Sequence, residues 1–328
     1  MQDHGQVATI GDQVDWFAGR FGALRENIEL FMQGKRSAIE AALVSLLTEG
    51  HLLVEDVPGV GKTSLAKALA LSIDGELRRI QFTPDLLPSD VTGASIFDPG
   101  SATFEFHPGG VFANVVLADE INRASPKTQS ALLEVMEERQ VTVDSDVLVV
   151  PRPFIVIATQ NPVEHEGTYQ LPEAQLDRFL MRITIGYPDL TTEMAIARNR
   201  ARGADVEDLH AVVSTADLTT MIAIAQQVHL AEPLLEYVAT LVAATRNLDE
   251  LRLGVSPRGT VALTLAARTR AAAAGRPYVT VDDVKALAEP VLAHRMLLAP
   301  AARLEGMTAS TLLADLLARL PVPDRVST

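Results

Sequence analysis

A glycine-rich segment near residue 60 has the residue types that bind the phosphates of a nucleotide. Its residues are Asp56, Val57, Pro58, Gly59, Val60, Gly61, Lys62, Thr63 and Ser64. Glycines let backbone N–H groups approach phosphate oxygens, and a helix that begins here points further N–H groups at the anion. We expect Lys62 to reach the β- and γ-phosphates and the Thr63 hydroxyl to coordinate Mg²⁺. The segment therefore predicts a loop that binds the phosphates of a nucleotide.

The first residue of this segment departs from the usual phosphate-loop pattern, which begins with glycine, because Asp56 stands there. Aspartate tolerates the left-handed backbone region better than most residues, so we expect the turn to be kept. A chance Gly-Lys-Thr sequence in an ordinary turn is the alternative. The strand pattern before the segment, the helix pattern after it and the scarcity of lysine (five in 328 residues) favour the phosphate loop.

Two carboxylates, Asp119 and Glu120, follow the apolar run Val115–Ala118. At the end of a strand their side chains diverge, so that one can face a metal and the other a water molecule. We expect Asp119 to hold Mg²⁺ and Glu120 to orient and deprotonate the attacking water. A solvated acidic turn is the alternative, and the phosphate loop upstream favours the catalytic interpretation.

Asn161 follows another apolar run, Ile157–Thr159, and precedes Pro162. An amide at this point can hydrogen-bond both the γ-phosphate and the attacking water. An Asn-Pro pair alone would indicate only a turn, so this prediction depends on the two preceding motifs.

Short apolar runs alternate with helix patterns from about residue 52 to residue 185. The candidate strands are Leu52–Glu55, Leu77–Phe82, Ala113–Ala118, Phe154–Thr159 and Met181–Ile185. The candidate helices between them include Lys62–Ser72 and Pro126–Arg139, the latter with Ser125 as N-cap. Such alternation predicts an α/β domain with a mainly parallel sheet covered by helices on both faces.

Two segments interrupt this alternation and predict hairpins. They are Ser95–Phe106, with a turn at 98–101, and Val141–Val149, with a turn at 144–146. After Asp189 the pattern is helical, near 191–202, 217–228, 232–247, 257–274 and 281–297, with no convincing strand. We therefore predict an N-terminal helical extension over 1–30, an α/β nucleotide-binding domain over 31–189 and an all-α domain over 190–328.

Composition excludes several classes of protein. The net charge is −14, which argues against general binding to DNA or to anionic lipid. The chain has no cysteine, so disulfides, thiolate metal sites and cysteine nucleophiles are excluded. His51, His107 and His165 have no metal-ligand spacing and are expected to be surface or packing residues. We expect a cytoplasmic protein with no membrane insertion.

The series of motifs resembles the MoxR family of AAA+ ATPases. The matching stretches are HLLVEDVPGVGKTSLAKALA, RRIQFTPDLLPSDVTG, VVLADEINRASPKTQSALLEVMEERQVTV, IATQNPVEHEGTYQLPEAQLDRF and GVSPRGTVAL. The resemblance implies an AAA+ core of five parallel strands, with the phosphate-loop strand central, two hairpin inserts and a helical lid domain.

The resemblance also implies a role for each site residue. Lys62 and Thr63 become the Walker A pair, Asp119 and Glu120 the Walker B pair, and Asn161 the first sensor. Arg178 matches the arginine finger that acts on a neighbouring subunit, although an ordinary salt bridge to Asp177 or Glu173 is the alternative. Arg258 matches the second sensor, which contacts nucleotide from the lid.

The function implied is Mg²⁺-dependent ATP hydrolysis by a chaperone-like factor that remodels or matures a protein client. A homo-oligomer, as a hexameric ring, and a partner with a von Willebrand factor A domain are implied as well. The alternatives are a motor acting on nucleic acid, a chelatase-like metal-insertion motor and a regulatory scaffold without turnover. Acidic or neutral hairpin turns disfavour a nucleic-acid motor. The presence of Glu120 and Asn161 disfavours the scaffold.

Overall fold

A computed structural model describes residues 9–143, 146–161, 168–203 and 205–323. The predicted turn residues Asp144 and Ser145, as well as Pro162 and His165, lie outside the described residues. The described chain forms two compact units. One comprises residues 24–219, and the other combines residues from 1–23 with residues from 220–328. The three domain boundaries drawn from the sequence stay a prediction.

The secondary structure, numbered along the chain, begins at Ile10. The strands are β1 (Leu52–Glu55), β2 (Leu77–Gln81), β3 (Gly93–Asp98), β4 (Thr103–Pro108), β5 (Val115–Asp119), β6 (Gln140–Val143), β7 (Asp146–Val149), β8 (Ile155–Gln160), β9 (Met181–Ile183), β10 (Leu251–Leu253) and β11 (Leu297–Leu298). The α-helices are α1 (Ile10–Phe31), α2 (Arg36–Leu47), α3 (Lys62–Ser72), α4 (Pro88–Thr92), α5 (Pro126–Glu138), α6 (Glu173–Leu176), α7 (Leu190–Ala201), α8 (Thr215–Gln227), α9 (Glu232–Thr245), α10 (Pro257–Ala273), α11 (Val281–Leu292), α12 (Pro300–Leu304) and α13 (Ala309–Arg319).

The predicted parallel sheet is confirmed, with the strand order β2-β5-β8-β1-β9. Its inner strands are mostly apolar because both faces are covered: all of β5, including Asp119 at its end, and the first five residues of β8 are buried. The expectation that the phosphate-loop strand is central was wrong, since β8 is the middle strand. β1 is the fourth of the five strands, between β8 and the edge strand β9.

Both predicted hairpins are present as antiparallel pairs, β3 with β4 and β6 with β7. The first hairpin exposes apolar side chains: Ile96, Phe97 and Phe104 are each at least half exposed. The rings of Phe97 and Phe104 meet edge to face, with their centroids 5.3 Å apart. Each hairpin is a separate two-stranded sheet outside the five-stranded one.

The C-terminal part is helical, as predicted. At the start of α11 the N–H and the hydroxyl of Thr280 both donate to the Asp283 carboxylate, each at 2.8 Å. The prediction that the C-terminal part contains no strand was wrong, because β10 and β11 pair antiparallel. Strands of two or three residues are too short to produce an alternating pattern in the sequence. None of the helices in the described part of the chain is long and apolar enough to cross a membrane.

Candidate nucleotide site

The glycine-rich segment joins β1 directly to α3, as its sequence predicted. Gly59 and Gly61 have φ angles of 86° and 99°, which side chains rarely adopt, so glycine is required at both positions. Gly61 is the N-cap of α3, and Lys62 and Thr63 form the first turn of that helix. The free N–H groups of this turn and the exposed Thr63 hydroxyl therefore lie where a phosphate could bind.

Asp56 does not have the backbone conformation expected of it, since it is not among the residues with positive φ. Its side chain is buried, and its carboxylate accepts three backbone N–H groups. Oδ1 accepts from Val57 at 2.8 Å, whereas Oδ2 accepts from Ile185 at 2.7 Å and from Gly186 at 2.6 Å. Asp56 therefore replaces glycine because its carboxylate is used, not because the turn needs a left-handed residue.

Lys62 directs its ammonium back onto its own loop, where Nζ donates to the carbonyl oxygen of Asp56 at 2.6 Å. A short, half-buried hydrogen bond of this kind keeps the lysine at the phosphate loop. The positive charge is thus held within the loop that would cradle the phosphates.

Asp119, Asn161 and Asp56 lie at the carboxyl ends of three adjacent strands, β5, β8 and β1. Parallel strands bring these ends to one edge of the sheet, which is where α/β folds bind ligands. Asp119 is buried, and its Oδ1 accepts from the Thr159 hydroxyl at 2.6 Å. Asn161 is buried directly after β8. The three motifs, which are separate in the sequence, therefore meet along the carboxyl edge of the sheet.

Asp119 also forms an ion pair with Arg79 of β2, at 2.7 Å between Nη2 and Oδ2. The Arg79 side chain is about half exposed, whereas that of Asp119 is only 12% exposed. Arg79 also donates to the side chain of Gln81 at 2.9 Å. One carboxylate oxygen of Asp119 is thus bound to a hydroxyl and the other to a cation.

Glu120 has a φ of 56°, an uncommon and strained conformation for a residue with a side chain. Its N–H donates to the hydroxyl of Thr159 at 2.9 Å, which fixes the backbone at the strand end. Its Oε2 accepts from Gln81 at 3.0 Å and from Arg123 at 2.8 Å. Because the left-handed backbone of Glu120 turns the chain away from the direction of β5, the carboxylates of Glu120 and Asp119 have different partners.

Arg178 follows α6 and binds α5 of its own subunit. Nη1 donates to the carbonyl oxygen of Leu133 at 2.6 Å, and Nη2 forms an ion pair with Glu137 at 3.0 Å. The sequence had suggested Asp177 or Glu173 as salt-bridge partners, and Glu137 was not foreseen. The finger role of Arg178 stays a prediction.

Arg258 is the second residue of α10 and belongs to the other compact unit. Its N–H donates to the Oγ of Ser256, the N-cap of that helix, at 3.2 Å. Arg258 therefore begins a helix, as expected of a lid residue, and its sensor role stays a prediction.

The donor chemistry at the sheet edge fits Mg²⁺, which prefers oxygen ligands and keeps several waters. The oxygen donors available are the Asp119 carboxylate and the Thr63 hydroxyl. Within the described residues, no group of three or more histidine or carboxylate side chains is arranged to hold a metal ion. A metal bound by one or two protein oxygens, together with phosphate and water, is compatible with both observations.

Comparison with known proteins identifies the family. The model described as "ATPase family associated with various cellular activities (AAA)" matches residues 51–181, and the AAA lid domain matches residues 243–316. Chaperone MoxR1 of Mycobacterium tuberculosis is 42% identical over 280 residues, which are 83% of this chain and 74% of that protein. Protein MoxR of Paracoccus denitrificans is 33% identical over 94% of this chain and 98% of its own length. The chain belongs to the MoxR family of AAA+ ATPases.

Two further relatives extend along most of this MoxR-family chain. The uncharacterized protein YeaC of Bacillus subtilis is 48% identical over 302 residues, which are 92% of this chain and 94% of YeaC. The crystal structure of an ATPase candidate from Cytophaga hutchinsonii has a TM-score of 0.89 and 36% identity, and the match covers 95% of this chain and 98% of that one. The AAA+ fold, the lid domain and the classification as an ATPase therefore rest on both sequence and structure.

Sequence reasoning missed four residues that contact the proposed catalytic carboxylates of this MoxR-family chain. They are Arg79, Gln81, Arg123 and Thr159. Two of them had a detectable pattern: Arg79 and Gln81 alternate on β2, and alternate residues share one face of a strand. The register that pairs Gln81 with Asp119 could not be obtained from the sequence, since it depends on the sheet order.

Proposed function

We propose that the chain hydrolyses ATP in a Mg²⁺-dependent reaction at the carboxyl edge of the five-stranded sheet. The observation that supports this most strongly is the meeting of the phosphate loop, Asp119, Glu120 and Asn161 at that edge. The loop and the first turn of α3 offer N–H groups to phosphate oxygens, and Lys62 offers a mobile positive charge.

Each residue has a proposed part in the reaction. Thr63 and Asp119 would hold Mg²⁺, which when bound neutralises charge on the phosphates. Glu120 takes a proton from the attacking water, and the oxygen of that water bonds to the γ-phosphorus. The bond between the γ-phosphorus and the oxygen that bridges it to the β-phosphate breaks, and ADP leaves. Asn161 holds that water in line. Because Gln81 and Arg123 bind the Glu120 carboxylate, they must release it or share it before Glu120 acts as a base.

We propose that the client is a protein rather than a nucleic acid. The hairpin of β3 and β4 exposes Ile96, Phe97 and Phe104, and its sequence over 93–108 has no lysine or arginine. Exposed apolar side chains suit a polypeptide, whereas the nucleic-acid backbone requires positive charge. The relative named Chaperone MoxR1 supports a chaperone-like role. A partner with a von Willebrand factor A domain belongs to the same proposal and rests on family resemblance.

The proposed assembly is a homo-oligomer, as a hexameric ring in which Arg178 completes the site of a neighbour. The match of an AAA lid domain over residues 243–316 includes Arg258, which supports its proposed part as the second sensor. A cytoplasmic location, favoured by the cysteine-free composition, is part of the same proposal.

The test uses Glu120→Gln, which preserves the shape of the side chain and removes the base. We expect ATP binding to be retained and hydrolysis to fall by about 10²–10⁴, as is usual for loss of a general base. Affinity capture with this variant in ATP should retain the client, which mass spectrometry then identifies.

Lys62→Ala is the matched control, because it removes the positive charge that is proposed to bind the phosphates. This variant should lose tight ATP binding in calorimetry and should capture no client. Wild-type turnover by Glu120→Gln would place the base elsewhere, and undiminished ATP affinity of Lys62→Ala would contradict the assignment of the phosphate loop. Capture of nucleic acid in place of protein would contradict the proposed client.

A further inference from the structure

The backbone at Ile185 and Gly186 is held by side chains from two distant segments. Both N–H groups donate to Oδ2 of Asp56, at 2.7 and 2.6 Å, and both carbonyl oxygens accept from Nζ of Lys35, at 3.0 and 2.8 Å. All four polar groups of this dipeptide are therefore bound by one carboxylate and one ammonium. We call Asp56 and Lys35, with the dipeptide between them, the 185–186 clamp.

The clamp begins inside the phosphate loop. Besides the dipeptide, the buried Asp56 carboxylate binds the N–H of Val57, the next residue of the loop. Burial of a carboxylate is costly unless several hydrogen bonds compensate it, and three short ones do so here. The carbonyl of the same residue accepts from Lys62 at 2.6 Å. Asp56 thus contacts both the lysine proposed to bind phosphate and the dipeptide at 185–186.

The clamp ends at the start of α7. Gly186 has a φ of 68°, and a Cβ there would have nothing within 4 Å, so its glycine serves the backbone turn rather than close packing. Three residues later, Asp189 is the N-cap of α7 and accepts from Thr192 at 2.7 Å. Hydrogen bonds from Thr192, with a smaller contribution from the charge of Lys35, lower the pKa of the Asp189 carboxyl. Lys35 therefore binds the backbone before this helix and also contributes to the lowered pKa of its N-cap, Asp189.

We propose that Asp56 is a positioning residue that couples occupancy of the phosphate loop to the start of α7 through the 185–186 clamp. The proposal rests on the proposed function, because it requires a nucleotide at Lys62. When a phosphate attracts Lys62, the Asp56 carbonyl loses its ammonium partner and its peptide can shift. The carboxylate of that residue then transmits the shift to Ile185 and Gly186. A glycine at position 56, as in the usual loop pattern, has no side chain to do this.

The test is amide hydrogen exchange over residues 183–190, with and without MgATP, in the wild type and in Asp56→Gly. In the wild type we expect protected amides at Ile185 and Gly186 and a change of exchange on addition of MgATP. In Asp56→Gly these amides should exchange about tenfold faster or more, because their acceptor is gone. The response to MgATP should be lost, although the variant restores the usual loop sequence. A purely structural role would raise exchange and leave that response intact.

Two further variants separate the clamp from general destabilisation. Asp56→Asn keeps an oxygen acceptor, so we expect exchange between that of the wild type and that of Asp56→Gly, even where the glycine variant folds poorly. Arg36→Met is the control for loss of a charge next to the clamp but outside it, since Arg36 follows Lys35, is exposed and pairs only with Glu40 among the ion pairs of the described residues. It should leave both the protection and the response unchanged.

Calorimetry with MgATP on the same wild-type sample distinguishes the two proposals. Absence of binding in the wild type would overturn the proposed function. Binding without any exchange change at 183–190, or a wild-type response in Asp56→Gly, would overturn the clamp alone.

Discussion

At the scale of single residues, the charged groups proposed to act in hydrolysis are each bound by other protein groups. Lys62 binds a loop carbonyl, Asp119 binds Arg79, and Glu120 binds Arg123. Phosphate and metal must exchange with these partners, which are charged or strongly polar themselves. The proposed reaction therefore depends on the neighbouring groups that bind Lys62, Asp119 and Glu120 before nucleotide does.

Arg79 gives the clearest case, because its guanidinium occupies one oxygen of the carboxylate proposed to hold Mg²⁺. In Arg79→Met we expect the Mg²⁺ concentration for half-maximal ATP binding to fall about two- to fivefold, since a competing cation is removed. The effect is small because the Arg79 side chain is about half exposed and such ion pairs are weak. Calorimetric titrations with ATP at a series of Mg²⁺ concentrations measure it.

Arg78→Met is the matched control for Arg79. Arg78 neighbours Arg79 on β2 but points to the other face, and it pairs with Glu76 at 2.7 Å. This variant should keep the wild-type Mg²⁺ requirement. A higher requirement in Arg79→Met than in Arg78→Met would show that Arg79 supports metal binding instead of competing with it.

At the scale of elements, strands and helices with a regular apolar pattern could be predicted from the sequence. Very short strands and contacts between distant segments could not. The strands of the parallel sheet, α3, α5 and both hairpins could be predicted because each has an apolar run or a recognisable turn. The β10–β11 pair has too few residues for such a pattern. The contacts of Asp56 with Gly186 and of Arg178 with Glu137 join segments far apart in the sequence, so only the sheet order brings them together.

His51 connects two of these elements from within the core. Its Nδ1 accepts from the N–H of Val156 at 3.0 Å, and its Nε2 lies 2.9 Å from the carbonyl oxygen of Met136, to which it donates. The ring therefore bridges the start of β8 and the end of α5 in its neutral form. Burial is the main cause that lowers the pKa of His51 to about 4.

This lowered pKa predicts acid destabilisation. Between pH 6.5 and 4 the unfolded chain binds a proton at His51 that the folded chain does not, so the free energy of unfolding falls as the pH falls. Over the whole window the loss is about 3 kcal/mol. Urea unfolding at pH 7.5 and pH 5 should show a smaller difference in His51→Gln than in the wild type.

The exposed residue His107 provides the control, because His107→Gln removes an imidazole from the surface of the first hairpin. The pH dependence of this variant should equal that of the wild type. Equal pH dependence in His51→Gln and in the wild type would assign the acid sensitivity to other groups.

At the scale of the whole molecule, the decisive question is whether one subunit completes the site of another. Arg178 lies between α6 and β9 and is about 30% exposed, while its guanidinium binds Leu133 and Glu137. To act on a neighbour, it must exchange Glu137 for a phosphate. The Glu137→Gln variant weakens the internal pair without removing the arginine, so we expect it to keep ATPase activity.

The final prediction tests this action directly by mixing two variants. Arg178→Ala and Lys62→Ala should each be inactive alone, because an arginine finger contributes about 10³–10⁵ in rate and Lys62 is needed for ATP binding. Co-assembled, they should regain part of the ATPase activity, since the intact phosphate loop of one subunit meets the intact arginine of the next. Steady-state ATPase assays over a series of mixing ratios measure the recovery. Full activity of Arg178→Ala alone would assign Arg178 to its pair with Glu137. Absence of recovery in demonstrated mixed assemblies would do the same, and it would remove the main support for a ring.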